Sequence, residues 1–267
     1  MSVTTTYQAG TFGCPGFCSG DAAACKKFYS SLLGWEAADM GGSGGNYTMF
    51  KVQGEAVAGM YQMADDRKKA GVKPHWNCYL AVDNIDETVK KTTALGGKVL
   101  TQPFDAMGDV MANLQDPTGG KFSVWQQKTQ PEPARLNEVG ALCWEELYTD
   151  DTAKSAAFYS DLFGWRAEPF DGNSPMPYTV FLPEGNERGI GGMLKITDEM
   201  QGMKPGWIPY FMVADTGATM AKARTLGAEV HGPIEIPQVG TIAMLKDTEG
   251  APFAVITPAG GEGCGNQ

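Results

Sequence analysis

The stretch Phe28-Tyr29-Ser30-Ser31-Leu32-Leu33-Gly34-Trp35 returns as Phe158-Tyr159-Ser160-Asp161-Leu162-Phe163-Gly164-Trp165. An echo of this kind marks an architecture built by repetition. Cys25, Phe28, Tyr29 and Leu32 recur at helical spacing, so one stripe of the segment faces a sheet. Ser19 or Asp21 stands where a helix is capped, and Gly34 where one stops. Around the octet the order reads strand (within Phe12 to Cys18), helix, then strands at Trp35 to Ala38, Tyr47 to Val52 and Glu55 to Met63. Gly41-Gly42-Ser43-Gly44-Gly45 is a flexible turn.

The polar stretch Ala64 to Lys73 leads to a second copy of that order. Trp76 to Val82 is its first strand, Asp83-Asn84 caps its helix, and strands follow at Lys98 to Gln102, Val110 to Gln115 and Lys121 to Gln126. The second half repeats the plan, with Leu142 to Tyr148 as its opening strand and Asp151 as the cap of the octet helix. Tyr178 to Leu182 answers Tyr47 to Lys51, Trp207 to Val213 answers Trp76 to Val82, and Asp247-Thr248-Glu249-Gly250 answers Asp116-Pro117-Thr118-Gly119. The expectation is an α+β fold of four βαβββ modules, paired into two half-open barrel domains whose free sheet faces line clefts. The domains span 8–128 and 139–260. A linker at 129–138 carries Pro131 and Pro133, the lead-in up to about Gly10 is loose, and 261–267 is a flexible tail.

Composition narrows the function. A formal net charge of -10 argues against nucleic acid, which needs clustered Lys and Arg. No apolar run is long enough to span a bilayer, and the first residues lack the basic and apolar regions of a secretory signal. A cytoplasmic protein is expected, a monomer or weak homodimer. Cys14, Cys18, Cys25, Cys78, Cys143 and Cys264 form no C-x-x-C pair, so a zinc ribbon or disulfide framework is not expected.

F-Y-x-x-L-x-G-W after a capped helix, Val82-Asp83-x-Ile85-Asp86, Leu95-Gly96-Gly97-Lys98-Val99 and Asp116-Pro117-Thr118-Gly119-Gly120-Lys121-Phe122-x-Val124-Trp125 together resemble the vicinal oxygen chelate superfamily, the glyoxalase, bleomycin-resistance and extradiol-dioxygenase group. The run Cys143-Trp144-Glu145-Glu146-Leu147-Tyr148-Thr149-Asp150-Asp151 is similar to the corresponding entry of its bacterial two-domain members. The resemblance implies a divalent metal that chelates two adjacent substrate oxygens, held by His, Gln or Glu. Carried over residue by residue, three of the ligand positions fall on Cys14, Asn77 and Ser123 in the first half, and on Trp144, Ile208 and Ala254 in the second. The remaining position lies near Met60 and Met193. This donor set predicts no metal site and no cofactor.

Strand alternation then places candidate cleft residues. With Trp144 at the ligand position, Glu146 and Tyr148 share its face, and Tyr210 joins Ile208. In the first half, Asn77 and Tyr79 face in, with Ser123 and Trp125 opposite. Glu146 is the one candidate catalytic residue. A carboxyl among aromatics can have a raised pKa and act as acid or base, or can simply be an ordered carboxylate bonded to a Tyr hydroxyl. Cys14, Asn77, Tyr79, Ser123, Trp144, Tyr148, Ile208 and Tyr210 are the candidate ligand-binding residues. Glu145, on the other face, reads as solvated. Trp76 and Trp207 suit packing or the domain interface, Trp35 and Trp165 helix-to-sheet packing, and His75 and His231 the surface.

Three functions fit. The first is a protein that binds a small organic ligand without metal, and the second a metal-independent lyase or isomerase acting on a small carbonyl compound with Glu146 as acid/base. The third is an interaction protein whose clefts are filled by its own side chains.

Overall fold

The structure is a computed structural model, and it describes residues 3–4, 7–41, 47–129, 134–170, 172, 174, 176–200 and 202–261. The glycine turn at 41–45, the two linker prolines and the tail beyond residue 261 fall wholly or largely outside the described residues. In chain order the first half contains β1 (Val3–Thr4), β2 (Gly16–Ser19), α1 (Ala22–Leu33), β3 (Glu36–Met40), β4 (Tyr47–Val52), β5 (Glu55–Gln62), α2 (Asp65–Lys69), β6 (His75–Asn77), β7 (Tyr79–Ala81), α3 (Ile85–Ala94), β8 (Lys98–Ala106), β9 (Asp109–Gln115) and β10 (Lys121–Gln126). The second contains β11 (Ala134–Arg135), β12 (Leu142–Thr149), α4 (Thr152–Phe163), β13 (Arg166–Pro169), β14 (Tyr178–Leu182), β15 (Gly191–Lys195), β16 (Gly206–Met212), α5 (Thr216–Thr225), β17 (Glu229–Ile236), β18 (Gly240–Lys246) and β19 (Pro252–Pro258).

Each long helix starts on a capping side chain. Asp21, Asn84, Asp151 and Asp215 accept hydrogen bonds from backbone N–H groups of the first turn. Gly34 and Gly164 both end their helices at φ 75°, a left-handed conformation that favours glycine, and so turn the chain into β3 and β13.

In the second half the modules join edge to edge. One sheet runs β13-β14-β15-β12-β16-β19-β18-β17, with β12 antiparallel to β16 at its centre. The first half has the same plan, β2 being antiparallel to β6, but the sheet breaks at Cys78 between β6 and β7. The lead-in and the linker are less loose than the sequence suggests. β1 pairs with β11, and β11 pairs with β5, so both segments extend the first sheet. Arg135 of β11 is buried and ion-paired to Glu55 and to Glu138, which anchors the linker. The stretch before β6 also contains a helix, α2, that apolar periodicity could not show because none of its residues is buried.

The octets do more than cover their own sheets. Tyr29 of α1 donates its hydroxyl to Asp247 Oδ2 in the other half at 2.8 Å, and Trp76 Nε1 donates to the Tyr29 oxygen at 3.0 Å. Tyr159 of α4 donates to Asp116 Oδ2 at 2.9 Å, and Trp207 Nε1 donates to the Tyr159 oxygen at 2.9 Å. Trp35 and Trp165 do not stop at helix-to-sheet packing. They donate to the carbonyls of Gly140 and Gly10, again each across the seam. The ring of Phe28 packs on Phe253, and that of Phe158 on Phe122. One continuous core therefore runs through both halves.

Candidate functional site

The bowl of the second half is built on β12 and β16. Their register sets Glu146 opposite Ile208, and Trp144 opposite Tyr210. On the other side Glu146 pairs with Gly192 of β15. Tyr148, Ile208, Tyr210 and Ala254 form one buried apolar cluster, with Trp144 and Met244 packed against it. The structure thus brings together the candidates chosen on this half: Trp144, Glu146, Tyr148, Ile208 and Tyr210.

Glu146 is only 4% exposed. Tyr210 donates its hydroxyl to Glu146 Oε1 at 2.6 Å. Burial pushes the Glu146 carboxyl up, and hydrogen bonds from Tyr210, Tyr148 and Tyr178 pull it back part of the way. The same burial and the neighbouring carboxylate push the phenols of Tyr148, Tyr178 and Tyr210 up, so these remain donors. Trp144 Nε1 donates to the Tyr178 oxygen at 2.7 Å, which completes a chain from indole to phenol to carboxyl.

Tyr178 is a site residue that the sequence reading missed. The match of Tyr178 to Tyr47 was visible, but which face either ring takes was not. The signal lay in the glycines: a Cβ at Gly192 would collide with the Tyr178 ring, and one at Gly59 with the Tyr47 hydroxyl. A glycine at each of these strand positions makes room for a ring in the bowl. The loosely placed metal position corrects in the same way. Met60 and Met193 are buried in the common core, and the bowl face at that level is Gly59 and Gly192.

In the first half the bowl is shallower in chemistry. Asn77 stands opposite Gly16 on β2, and its amide donates to the Gly16 carbonyl and the Tyr61 hydroxyl, both at 3.4 Å. Tyr79 lies over Gly16, where a Cβ would come within 2.5 Å of its ring. Ser123 donates to Asn113 Oδ1 at 2.8 Å. The thiol of Cys14 lies 3.9 Å from the Tyr7 hydroxyl and 3.7 Å from the Ala56 carbonyl. Burial pushes that thiol up to about 12, which disfavours the thiolate at neutral pH. His75 is half-buried rather than on the open surface. Its Nδ1 lies 2.7 Å from the Lys73 carbonyl, and burial lowers its pKa. His231 is exposed.

The metal that the resemblance implies can be tested on the donors. The positions carried over hold a thiol, a carboxamide and a hydroxyl in one bowl, and an indole, a branched alkyl chain and a methyl in the other. Among the described residues no three His, Cys, Asp or Glu side chains are grouped to hold an ion. These residues do not fit a divalent metal.

Glu145 departs most from its sequence reading. It is 1% exposed, not solvated, and neither carboxyl oxygen has a hydrogen-bond partner among the described residues. Alternation predicts that it faces away from the bowl. It does not predict that the other half of the molecule lies over that face.

A model of the glyoxalase-like domain family matches this chain twice, over residues 17–125 and 143–256. The chain belongs to the glyoxalase-like family of the vicinal oxygen chelate superfamily. It is 36% identical to the "Putative glyoxylase CFP32" of Mycobacterium tuberculosis, over 97% of this chain and 99% of that protein. It is 30% identical to the "Anthracycline biosynthesis protein DauV" of Streptomyces sp., over 89% of this chain and 90% of that one. Among solved structures, the Mn(II)-bound glyoxalase from Novosphingobium aromaticivorans superposes with a TM-score of 0.62 at 14% identity, covering 97% of this chain and 85% of the other, which shows a shared fold. No helix among the described residues is long and apolar enough to cross a membrane.

Proposed function

We propose that this glyoxalase-like protein binds a small organic molecule in the bowl of its second half, through Glu146 and the hydroxyls around it, without a divalent metal. The observation that carries the reading is a carboxyl, almost wholly buried, in a bowl of aromatic and apolar side chains whose phenol hydroxyls are turned toward it. Burying a carboxyl is costly unless it has a task or full partners. Tyr178 and Trp144 occupy the volume beside Gly192 and Gly189 in this structure, so a ligand enters by displacing the Tyr178 ring.

A second reading is favoured by the same carboxyl. Burial raises the Glu146 carboxyl, and the Tyr210 hydroxyl that donates to it at 2.6 Å is placed to pass a proton. That is the equipment of a lyase or isomerase that shuttles a proton on a small carbonyl compound. The Mycobacterium tuberculosis relative is named a putative glyoxylase, and this reading extends a glyoxylase-type activity to the present chain.

Thermal-shift screening against dicarbonyl compounds, glutathione adducts and planar aromatic drugs tests both readings. A true ligand raises the unfolding temperature progressively with concentration. The shift disappears in Glu146→Gln under the binding reading. Under the enzymatic one, Glu146→Gln still binds and turnover is lost. A screen with no concentration-dependent hit, or a hit whose binding and turnover are both unchanged in Glu146→Gln, contradicts both.

A further inference from the structure

The two bowls are built alike and lined differently. Gly16, opposite Asn77, is the counterpart of Glu146, opposite Ile208. Ser123, opposite Tyr79, is the counterpart of Ala254, opposite Tyr210, and its neighbour Asn113 answers Met244. At these positions the first bowl has amide and hydroxyl groups where the second has alkyl and thioether groups, and a bare glycine where the second has its carboxyl.

The first bowl also has cations. The connection after β5 contains α2, whose Arg67 donates to the Tyr61 hydroxyl at 3.5 Å. The corresponding connection after β15 supplies Met200 and Met203, which pack on the apolar cluster of the second bowl. Strand alternation puts Lys121 on the face of Ser123, where the second half has Pro252. Tyr61 and His75 flank Cys18 on the two strands beside β2. Besides burial, the charges of Arg67 and Lys121 lower the pKa of His75, so both cations act on that ring. Among the described residues neither cation lies within ion-pair distance of a carboxylate. Asp66 accepts from the backbone N–H of Arg67, Asp109 from Trp125 and Thr129, and Glu249 from Ser19. The Asn77 amide makes two long bonds of 3.4 Å, which a charged acceptor would improve on. Next to these donors the rings of Tyr79 and Tyr47 lie over the paired glycines Gly16 and Gly59. Tyr47, Tyr61, Arg67, Asn77 and Tyr79 are all half-buried, so this bowl is open to solvent, whereas Glu146, Tyr148, Ile208 and Tyr210 are buried.

We propose that the first bowl is a second binding site, for a small aromatic carboxylate whose charged group is met by Arg67, Lys121 and Asn77 and whose ring rests on Tyr79 and Tyr47. The planar guanidinium suits a carboxylate, and the phenol rings supply apolar area at its side. The site is independent of Glu146 and of the ligand proposed for the second bowl, so the chain takes two ligands of different chemistry.

Phenylacetate is the probe. Titration calorimetry on the full chain should show saturable binding at millimolar concentration or below. Arg67→Ala and Asn77→Leu should each weaken it by about tenfold or more. Lys121→Met, at an exposed position, gives the same direction should either of those variants fail to unfold cooperatively. Lys90→Ala makes the same charge change as Arg67→Ala at an exposed position on α3, and it should bind like the parent, as should Glu146→Gln. Phenylacetamide, which has the ring without the charge, should bind at least tenfold more weakly. Absence of saturable binding at millimolar phenylacetate overturns the proposal. So does binding unchanged in the Arg67, Asn77 and Lys121 variants, binding weakened as much by Lys90→Ala, or equal binding of phenylacetamide. Binding altered in Glu146→Gln would place the anion in the other bowl and likewise overturn it.

Discussion

Replacing Tyr159 by Phe removes one oxygen from the centre of the molecule and strands two groups. Asp116 Oδ2 loses the hydroxyl that donates to it, and the Trp207 indole N–H loses its acceptor. The other Asp116 oxygen keeps its bonds from the backbone N–H groups of Thr118 and Gly120, so the turn itself survives. A hydrogen bond to a charged group contributes about 1.5–3 kcal/mol, and a buried N–H left without acceptor costs about 1–3 kcal/mol. Allowing for relaxation, Tyr159→Phe should destabilise by about 3 kcal/mol, near 8 °C in Tm for a chain of this size. Because these contacts join the halves, urea unfolding should also separate into two steps, where the parent shows one transition. Intrinsic tryptophan fluorescence and far-ultraviolet circular dichroism, recorded on the same samples, measure both effects. Tyr29→Phe should behave alike through Asp247 and Trp76. A loss below about 0.5 kcal/mol, the size of an ordinary surface change, would refute the view that the octets clamp the two halves together.

Glu145→Leu should raise stability at neutral pH by about 1–3 kcal/mol, because it replaces an unpartnered buried carboxyl with an apolar chain of similar volume. Burial raises the folded-state pKa of Glu145 above its unfolded value. Its contribution to stability is therefore fully present below about pH 4, and is lost as pH climbs through the raised folded value. Glu145→Gln cannot titrate, so the parent should lose stability relative to it as pH rises, and denaturant melts at several pH values read that difference. Gly192→Ala should drive Tyr178 from its place and break the bond from Trp144 Nε1, which a change in tryptophan emission and a weaker ligand-induced thermal shift would reveal.

Much of the fold was legible in the sequence because its signals are local. Asp21, Asn84, Asp151 and Asp215 cap helices by their own side chains, Gly34 and Gly164 stop two of them, and Trp144, Glu146 and Tyr148 share a face by alternation. What was not legible depends on the partner half. The hydroxyl of Tyr29 meets Asp247 across 218 residues of chain, and no local pattern encodes that meeting. Glu145 reads as solvated until Cys78 and the lead-in are laid against it. Strand β11 holds its place through Arg135, Glu55 and Glu138 rather than through an apolar run. In the bowl, the rings of Tyr47 and Tyr178 were hidden because the residues that admit them are glycines, which carry no side chain to form a pattern.

Whether side-chain chemistry stands in place of metal ligation at the barrel walls is tested most directly by equilibrium dialysis against Mn(II), Ni(II) and Zn(II), with metal content read by mass spectrometry. We predict no saturable binding approaching one ion per chain. One tightly held ion per chain, lost on Cys14→Ser or on Glu146→Gln, would contradict it.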